Sequence, residues 1–251
     1  MSKVVCIDPG HGGKDPGAVA NGLKEKDITL AISLKLGKIL EENGIKVVYT
    51  RTTDKYLSLT ERANVSNKAN ADAFISIHTN SFTNPSARGL EIWTSKGQTK
   101  ADILATYVGE ELIKEFPNVP FRKDLSDGDL DKEANFTVLA KTKAPAILPE
   151  LGFISNKQDN ELQLKRQDDF AKTIANGIFR FFNMNVKADT KEKTVKISIN
   201  GKTRVVEGYY RNGTNYVYVD GKPYPIRQVA AALGLKNIDW NNTTKTVIIK
   251  D

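Results

Sequence analysis

Between residues 3 and 182, short apolar runs of strand length alternate with longer segments of helical periodicity, and this alternation restricts the fold more than any other feature. Lys3 to Asp8 is an apolar run closed by Pro9-Gly10, which reads as a buried strand followed by a turn. Asp27 to Asn43 carries Ile28, Ala31, Leu34, Ile39 and Leu40 at spacings that gather on one broad helical face, with Gly44 as the stop. Strand-like Ile45 to Thr50, helical Leu57 to Asn70 and strand-like Ala73 to His78 complete a βαβαβ unit. Gly89 to Thr94 then reads as a fourth strand and Lys100 to Glu115 as a helix. Phe136 to Ala140 and Ala146 to Leu151 read as two more strands, and Asp168 to Phe182 as a closing helix. The expectation is an α/β fold, a mostly parallel six-stranded sheet with helices on both faces. Residues 117–135, with Pro117, Pro120, Gly128 and closely spaced charges, read as a surface loop able to fold over a site.

The pattern changes near Asn185. Val195 to Ile199 alternates, Asn200-Gly201 and Asn212-Gly213 are hairpin signals, Ile226 to Leu233 is a short helix candidate, and a last hairpin runs through Trp240 into Thr246 to Lys250. A chain of 251 residues accommodates such a β-rich domain at 185–251 beside a larger one at 1–184. Charge divides the same way. The net charge is +7, and residues 186–251 alone hold 12 basic and 6 acidic side chains, so the basic character belongs to the tail. A basic module beside a nearly neutral one suits an anionic partner, although solubility alone would also account for it.

A single cysteine, Cys6, excludes an intramolecular disulfide framework, and its place inside the first strand makes it a core residue. No apolar stretch approaches the roughly 20 residues of a membrane span. The chain opens with MSKVVCID rather than a basic region followed by an apolar one, so no export signal is visible. We therefore expect a protein made in the cytoplasm. The glycines around His11 contain no GxxxxGK[ST] and lack the order of a dinucleotide fingerprint, which removes the nucleotide reading.

The two histidines, His11 and His78, both fall at the C-terminal end of an expected strand, the edge where an open parallel sheet collects its ligands. Glu150 ends another strand at that edge, and Glu25 lies just before the first helix. Either histidine alone would be an ordinary hydrogen-bonded group, and Glu25 alone a first-turn carboxylate favoured by the helix dipole. Together, two imidazoles and a carboxylate suffice to hold Zn²⁺ with one position open, leaving a second carboxylate to act as base. Asp15 and Asp27 are alternatives to Glu25 as the carboxylate ligand. Glu150, flanked by Leu151 and Phe153 after an apolar run, is a poor choice for packing and reads as functional.

The runs CIDPGHGGKDPGA (6–18), NGLKEKDITLAIS (21–33), YTRTTDKYLSLTERANVSNKANADAFISIHTNS (49–81) and APAILPELGFISN (144–156) resemble the zinc-dependent N-acetylmuramoyl-L-alanine amidases of the amidase 3 type. The resemblance covers about residues 3–183. It implies one zinc ion per chain on His11, Glu25 and His78, with Glu150 as the catalytic glutamate. It also implies peptidoglycan as substrate, cut at the amide between N-acetylmuramic acid and the first L-alanine of the stem peptide. Asn80, beside the second histidine, is a candidate substrate contact, and Arg51 and Arg62 are candidates for substrate or for pairing with Asp54 or Glu61. Pro149 lacks an N–H, so the strand end before Glu150 is expected to be unpaired there.

Residues 193–250 resemble the small domain named for the N-terminal region of copper amine oxidases, through INGKTR, YVYVDGKPYPIRQVAAALGL and IDWNNTTKTVII. Copper does not follow, because residues 184–251 contain neither His nor Cys. Tyr209, Tyr210, Tyr216, Tyr218, Tyr224 and Trp240, interleaved with basic residues, could stack on sugars or line a groove for an anionic wall polymer; they could equally build the small core. The resulting expectation is an endolysin or an autolysin released by lysis, acting at the bacterial wall, with no nucleic-acid partner and no membrane span. Its rivals are a zinc peptidase or deacetylase, and a wall- or nucleic-acid-binding protein without catalysis.

Overall fold

In a computed structural model of the chain, the structure describes residues 2–126 and 128–184, then 194–199, 202–211, 214–219, 222–226, 229, 237–241 and 246–250. The chain divides into two compact units, Met1–Val186 and Lys187–Asp251. The elements of the first unit run β1 (Val4–Pro9), β2 (Val19–Ala20), β3 (Leu23–Lys24), α1 (Glu25–Glu42), β4 (Lys46–Tyr49), α2 (Leu59–Lys68) and β5 (Ala73–Asn80). They continue with β6 (Leu90–Thr94), α3 (Lys100–Glu115), β7 (Lys132–Glu133), α4 (Thr137–Ala140), β8 (Ala146–Phe153), α5 (Lys157–Lys165) and α6 (Gln167–Phe181).

Six of these strands form one sheet in the order β4-β1-β5-β8-β6-β7. All neighbours are parallel except β6 and β8, which run antiparallel. Side chains alternate across the sheet, as the pleat requires. Val5, Ile7, Ile75, Ile77 and Ile147 point into one core with Ile32 and Leu36 of α1, Leu104 and Val108 of α3, and Phe170 and Ile174 of α6. Cys6, Phe74, Ala146 and Leu148 point the other way, onto Val138, Leu139 and the α2 residue Val65. Cys6 is fully buried in that second core, and burial pushes its thiol up to about 12.

The sheet has its six strands, but one is not where the sequence pattern puts it. Residues 137–140 form a single helical turn rather than a strand. Val138 and Leu139, adjacent and both buried, mimic a short apolar strand, and four residues are too few to display helical periodicity. The edge strand is instead Lys132–Glu133, inside the stretch expected to be loop. Pairing also continues through Pro149, whose partner in β6 is Ile92. One absent donor removes one bond from a ladder that its neighbours maintain.

Alternation also carries Asp8 to the face covered by α2, a helix begun by a capping box between Ser58 and Glu61. There Arg62 reaches down to Asp8 at 2.8 Å, with both side chains almost wholly inaccessible. The expected partner Glu61 is occupied by the cap, and Asp54 by Lys26. Removing one member of a buried pair strands the other's charge, which costs about 3–5 kcal/mol. Arg62→Ala is therefore expected to lower the urea-unfolding free energy by about that amount.

The second unit is a six-stranded sheet of β9 (Thr194–Ile199), β10 (Lys202–Arg211), β11 (Thr214–Val219), β12 (Lys222–Pro225), β13 (Asn237–Asn241) and β14 (Thr246–Lys250). Its order is β12-β11-β10-β9-β14-β13, antiparallel except for β14 beside β9. Ile199 faces Lys202 and Arg211 faces Thr214 across the two Asn-Gly positions. The turn residues themselves, most of the helix expected at 226–233 and the side chains of the tyrosines lie outside the described residues.

Candidate metal centre and active site

The C-terminal ends of β1, β5 and β8 meet at one rim of the first sheet, and each delivers one of the sequence-predicted groups. The chain leaves β1 through Gly10 and His11, and His11 adopts φ 61°, a left-handed conformation that a histidine takes only under constraint. The constraint is visible. Arg62 donates to the His11 carbonyl at 2.7 Å, while Arg51 donates to the carbonyls of Pro9 at 3.0 Å and Gly10 at 2.8 Å. Both arginines thus clamp the histidine loop instead of pairing with Asp54 or Glu61. Gly10 has no Cβ for a direct reason: one would overlap the His78 ring. At Gly17, a Cβ would fall 2.6 Å from Glu25 Oε2.

Glu25 is the first residue of α1, two residues earlier than the Asp27 start expected from the sequence, and only 4% of it is exposed. Its Oε2 lies 3.1 Å from His11 Nε2 and its Oε1 lies 2.9 Å from His78 Nδ1. The backbone N–H groups of Ala18 and Thr79 donate to the same two oxygens at 2.9 and 3.0 Å. Burial opposes ionisation of Glu25, but the two imidazoles outweigh it and hold the carboxyl well below the usual range. The imidazole rings stand edge to face, their centroids 5.0 Å apart. Ligand atoms of His11, Glu25 and His78 all lie within 4.8 Å of one another, so the group could hold a metal ion.

Asp15 is not in that group. It accepts a hydrogen bond from His11 Nδ1 at 2.9 Å, fixing which ring nitrogen turns towards Glu25. Burial tends to lower His11, and its two carboxylate neighbours, Glu25 and Asp15, raise it above the ordinary imidazole value. Asp27 joins no such cluster among the described residues.

Glu150 sits across from His78 in β5 and from Glu91 in β6. Its Oε2 is inaccessible and has no hydrogen-bond partner among the described residues. Burial, then the charges of Glu25 and Glu91, push this carboxyl well above the usual range, with Lys132 opposing weakly. His11, Glu25, His78, Asn80, Phe136 and Glu150 line one cleft of about 480 Å³. A larger groove of about 750 Å³ opens at the opposite strand ends around Lys3, Asp72 and Phe182, away from these groups.

Sequence reasoning missed Glu91. It is 2% exposed and accepts from Asn80 at 2.6 Å, Arg122 at 2.9 Å and Lys132 at 2.7 Å. The available signal was an acidic residue between Leu90 and Ile92 in a strand otherwise wholly apolar up to Trp93. Through it the side chain of Asn80 is held at the cleft, its own carbonyl accepting from Ser81 N–H.

The chain is similar to known proteins. The sequence model of the family Amidase_3, N-acetylmuramoyl-L-alanine amidase, matches residues 5–180. N-acetylmuramoyl-L-alanine amidase CwlM of Bacillus licheniformis is 40% identical over 194 residues, spanning 73% of this chain and 70% of that protein. An endolysin of Bacillus phage SPP1 is 36% identical over 211 residues, spanning 82% of this chain and 76% of that one. The solved structure of N-acetylmuramoyl-L-alanine amidase AmiC2 of Nostoc punctiforme superimposes with a TM-score of 0.66 at 36% identity, covering 72% of this chain and 97% of that one. With residues 5–180 matched in this way, the chain belongs to the N-acetylmuramoyl-L-alanine amidase family.

Proposed function

We propose that the protein is a zinc-dependent peptidoglycan hydrolase that cleaves the amide between N-acetylmuramic acid and the L-alanine of the stem peptide. The observation that carries this reading is the juxtaposition, in one cleft, of the His11–Glu25–His78 group with the unpartnered carboxylate of Glu150. Two imidazole nitrogens and one carboxylate are the donor set of a catalytic zinc site with a position left open. His11 Nε2 and His78 Nδ1 lie 3.1 and 2.9 Å from the two oxygens of Glu25, so these are the residues that would hold the ion. Zinc bound there supplies Lewis acidity, polarising the scissile carbonyl and acidifying water to near neutrality.

The protein's own residues do the rest. Glu150 takes a proton from the water attacking the lactyl carbonyl and delivers it to the alanine nitrogen as the C–N bond breaks. Burial and the charges of Glu25 and Glu91 raise this carboxyl, which favours its keeping the proton until the nitrogen takes it. Asp15 keeps the His11 ring oriented, and Asn80, steadied by Glu91, contacts the substrate at the cleft wall. No helix among the described residues is long and apolar enough to cross a membrane. We place the enzyme at the bacterial wall, as a phage endolysin or an autolysin freed by lysis.

Mass spectrometry of purified walls digested with and without chelator tests the reaction. New amino-terminal L-alanine without new reducing ends, abolished by chelation, is the expected product pattern. Cleavage within the stem peptide or at an acetyl group would replace this reading with a peptidase or deacetylase.

The C-terminal unit we assign to wall attachment, from its basic charge, its aromatic content and its likeness to the domain named for copper amine oxidases. Deleting residues 187–251 is expected to leave turnover of soluble muropeptides within about twofold and to weaken co-sedimentation with intact walls by about 10-fold or more, as loss of a second binding module does. Unchanged sedimentation would reject that role.

A further inference from the structure

Away from the cleft, a second group of acidic side chains converges. Asp102, in the first turn of α3, meets Asp129 and Asp131 from the segment leading into β7, with carboxylate oxygens all within 4.8 Å of one another. Asp131 is 1% exposed and Asp102 5%. Hydrogen bonds from three neighbouring residues hold part of the group. Thr94 Oγ1 donates to Asp131 Oδ2 at 2.6 Å, Gln98 Nε2 to Asp129 Oδ2 at 3.2 Å, and the Thr99 N–H to Asp102 Oδ2.

The other oxygen of each carboxylate is inaccessible and has no hydrogen-bond partner among the described residues: Asp102 Oδ1, Asp129 Oδ1 and Asp131 Oδ1. Charged oxygens withdrawn from water without a donor are costly unless something positive meets them. No lysine or arginine among the described residues does so here, since Lys132 next in sequence turns to Glu91. Burial, with Asp129 and Asp102 nearby, raises Asp131 to about 8, against the Thr94 hydrogen bond.

We propose that Asp102, Asp129 and Asp131 bind a calcium ion. Oxygen-only donors select a hard cation and exclude the imidazole-rich chemistry of the cleft. Carboxylates from separate segments suit calcium's six to eight oxygens and loose geometry better than magnesium, which keeps its waters and uses one or two carboxylates. Two oxygens on opposite sides of calcium, each about 2.4 Å away, stand about 4.8 Å apart, and the three carboxylates have oxygens no farther from one another than that. In sequence, Asp127, Asp129 and Asp131 alternate around Gly128, a spacing that calcium-binding loops use for successive ligands. The ion would tie the start of α3 to the segment that continues into Asn135 and Phe136, both on the cleft wall.

Calcium titration of the zinc-loaded, full-length protein tests this, read by calorimetry and by thermal unfolding. One calcium per chain is expected, with a melting temperature that rises with calcium concentration. Asp131→Asn is expected to weaken calcium binding at least about 10-fold and, without calcium, to melt no lower than the parent, because it removes a repelled charge. Asp129→Asn provides the same measurement should the first variant fold poorly. Absence of both heat and thermal shift at about 10 mM calcium, above the range of even weak extracellular sites, would overturn the assignment. So would undiminished calcium binding by both variants. Unfolding that responds to pH but not to calcium would identify a shared proton instead and equally reject the ion.

Discussion

Glu150→Ala is expected to lower the rate of wall hydrolysis by about 10²–10⁴-fold, the contribution typical of a positioned acid–base group. The loss comes from removing a carboxylate that, unlike its acidic neighbours, has no hydrogen-bond partner among the described residues. Glu25 is shared between two imidazoles, Asp15 is on His11, and Glu91 carries Asn80, Arg122 and Lys132. Because Glu150 is outside the ligand group, the variant keeps its zinc, measurable by plasma mass spectrometry, and its circular dichroism. Glu150→Gln makes the same point with the volume preserved. It loses activity to a similar degree and melts no lower than the parent, since an amide escapes the charge repulsion from Glu25 and Glu91. Full activity in both variants would remove Glu150 from the mechanism.

Substitutions at His11, Glu25 or His78 are expected to fail differently. His11→Ala and His78→Ala each delete one of three donors, so metal affinity falls by more than the roughly 10–100-fold that follows loss of an outer hydrogen-bond partner. Purified variants then carry substoichiometric zinc and turnover drops to background. Chelator brings the parent to the same level, and added zinc restores the parent but not the variants. Zinc content therefore separates the two classes: retained when Glu150 is lost, absent when a histidine is lost. A histidine variant with full zinc and full turnover would show that the ion sits elsewhere.

How much of this was legible in the sequence varies with the kind of signal. His11, His78 and Glu150 could be placed together because each closes an apolar run, and parallel strands put their ends on one rim. Glu25 could not be chosen over Asp15 or Asp27 from spacing alone. All three lie in one connecting segment, and only its backbone path, bent through Gly17 and the β2–β3 ribbon, turns Glu25 inward and Asp15 onto Nδ1 of His11. The misplaced edge strand has a similar origin. Two residues such as Lys132 and Glu133 display no alternation, whereas Val138 and Leu139 display an apolar run without being a strand. The helix Lys157–Lys165 escaped notice because its mostly polar surface rests on an Asn156 cap and on the buried polar residues Asp159, Asn160 and Gln163, which hydropathy scores as exposed. Arg62 and Asp8 are 54 residues apart, and a pairing of that kind is decided by the sheet's pleat, not by proximity along the chain.

The shared carboxylate of Glu25 has a further consequence. Each of its oxygens meets one imidazole and one backbone N–H, from Ala18 or Thr79, so loss of this single side chain would release both rings at once.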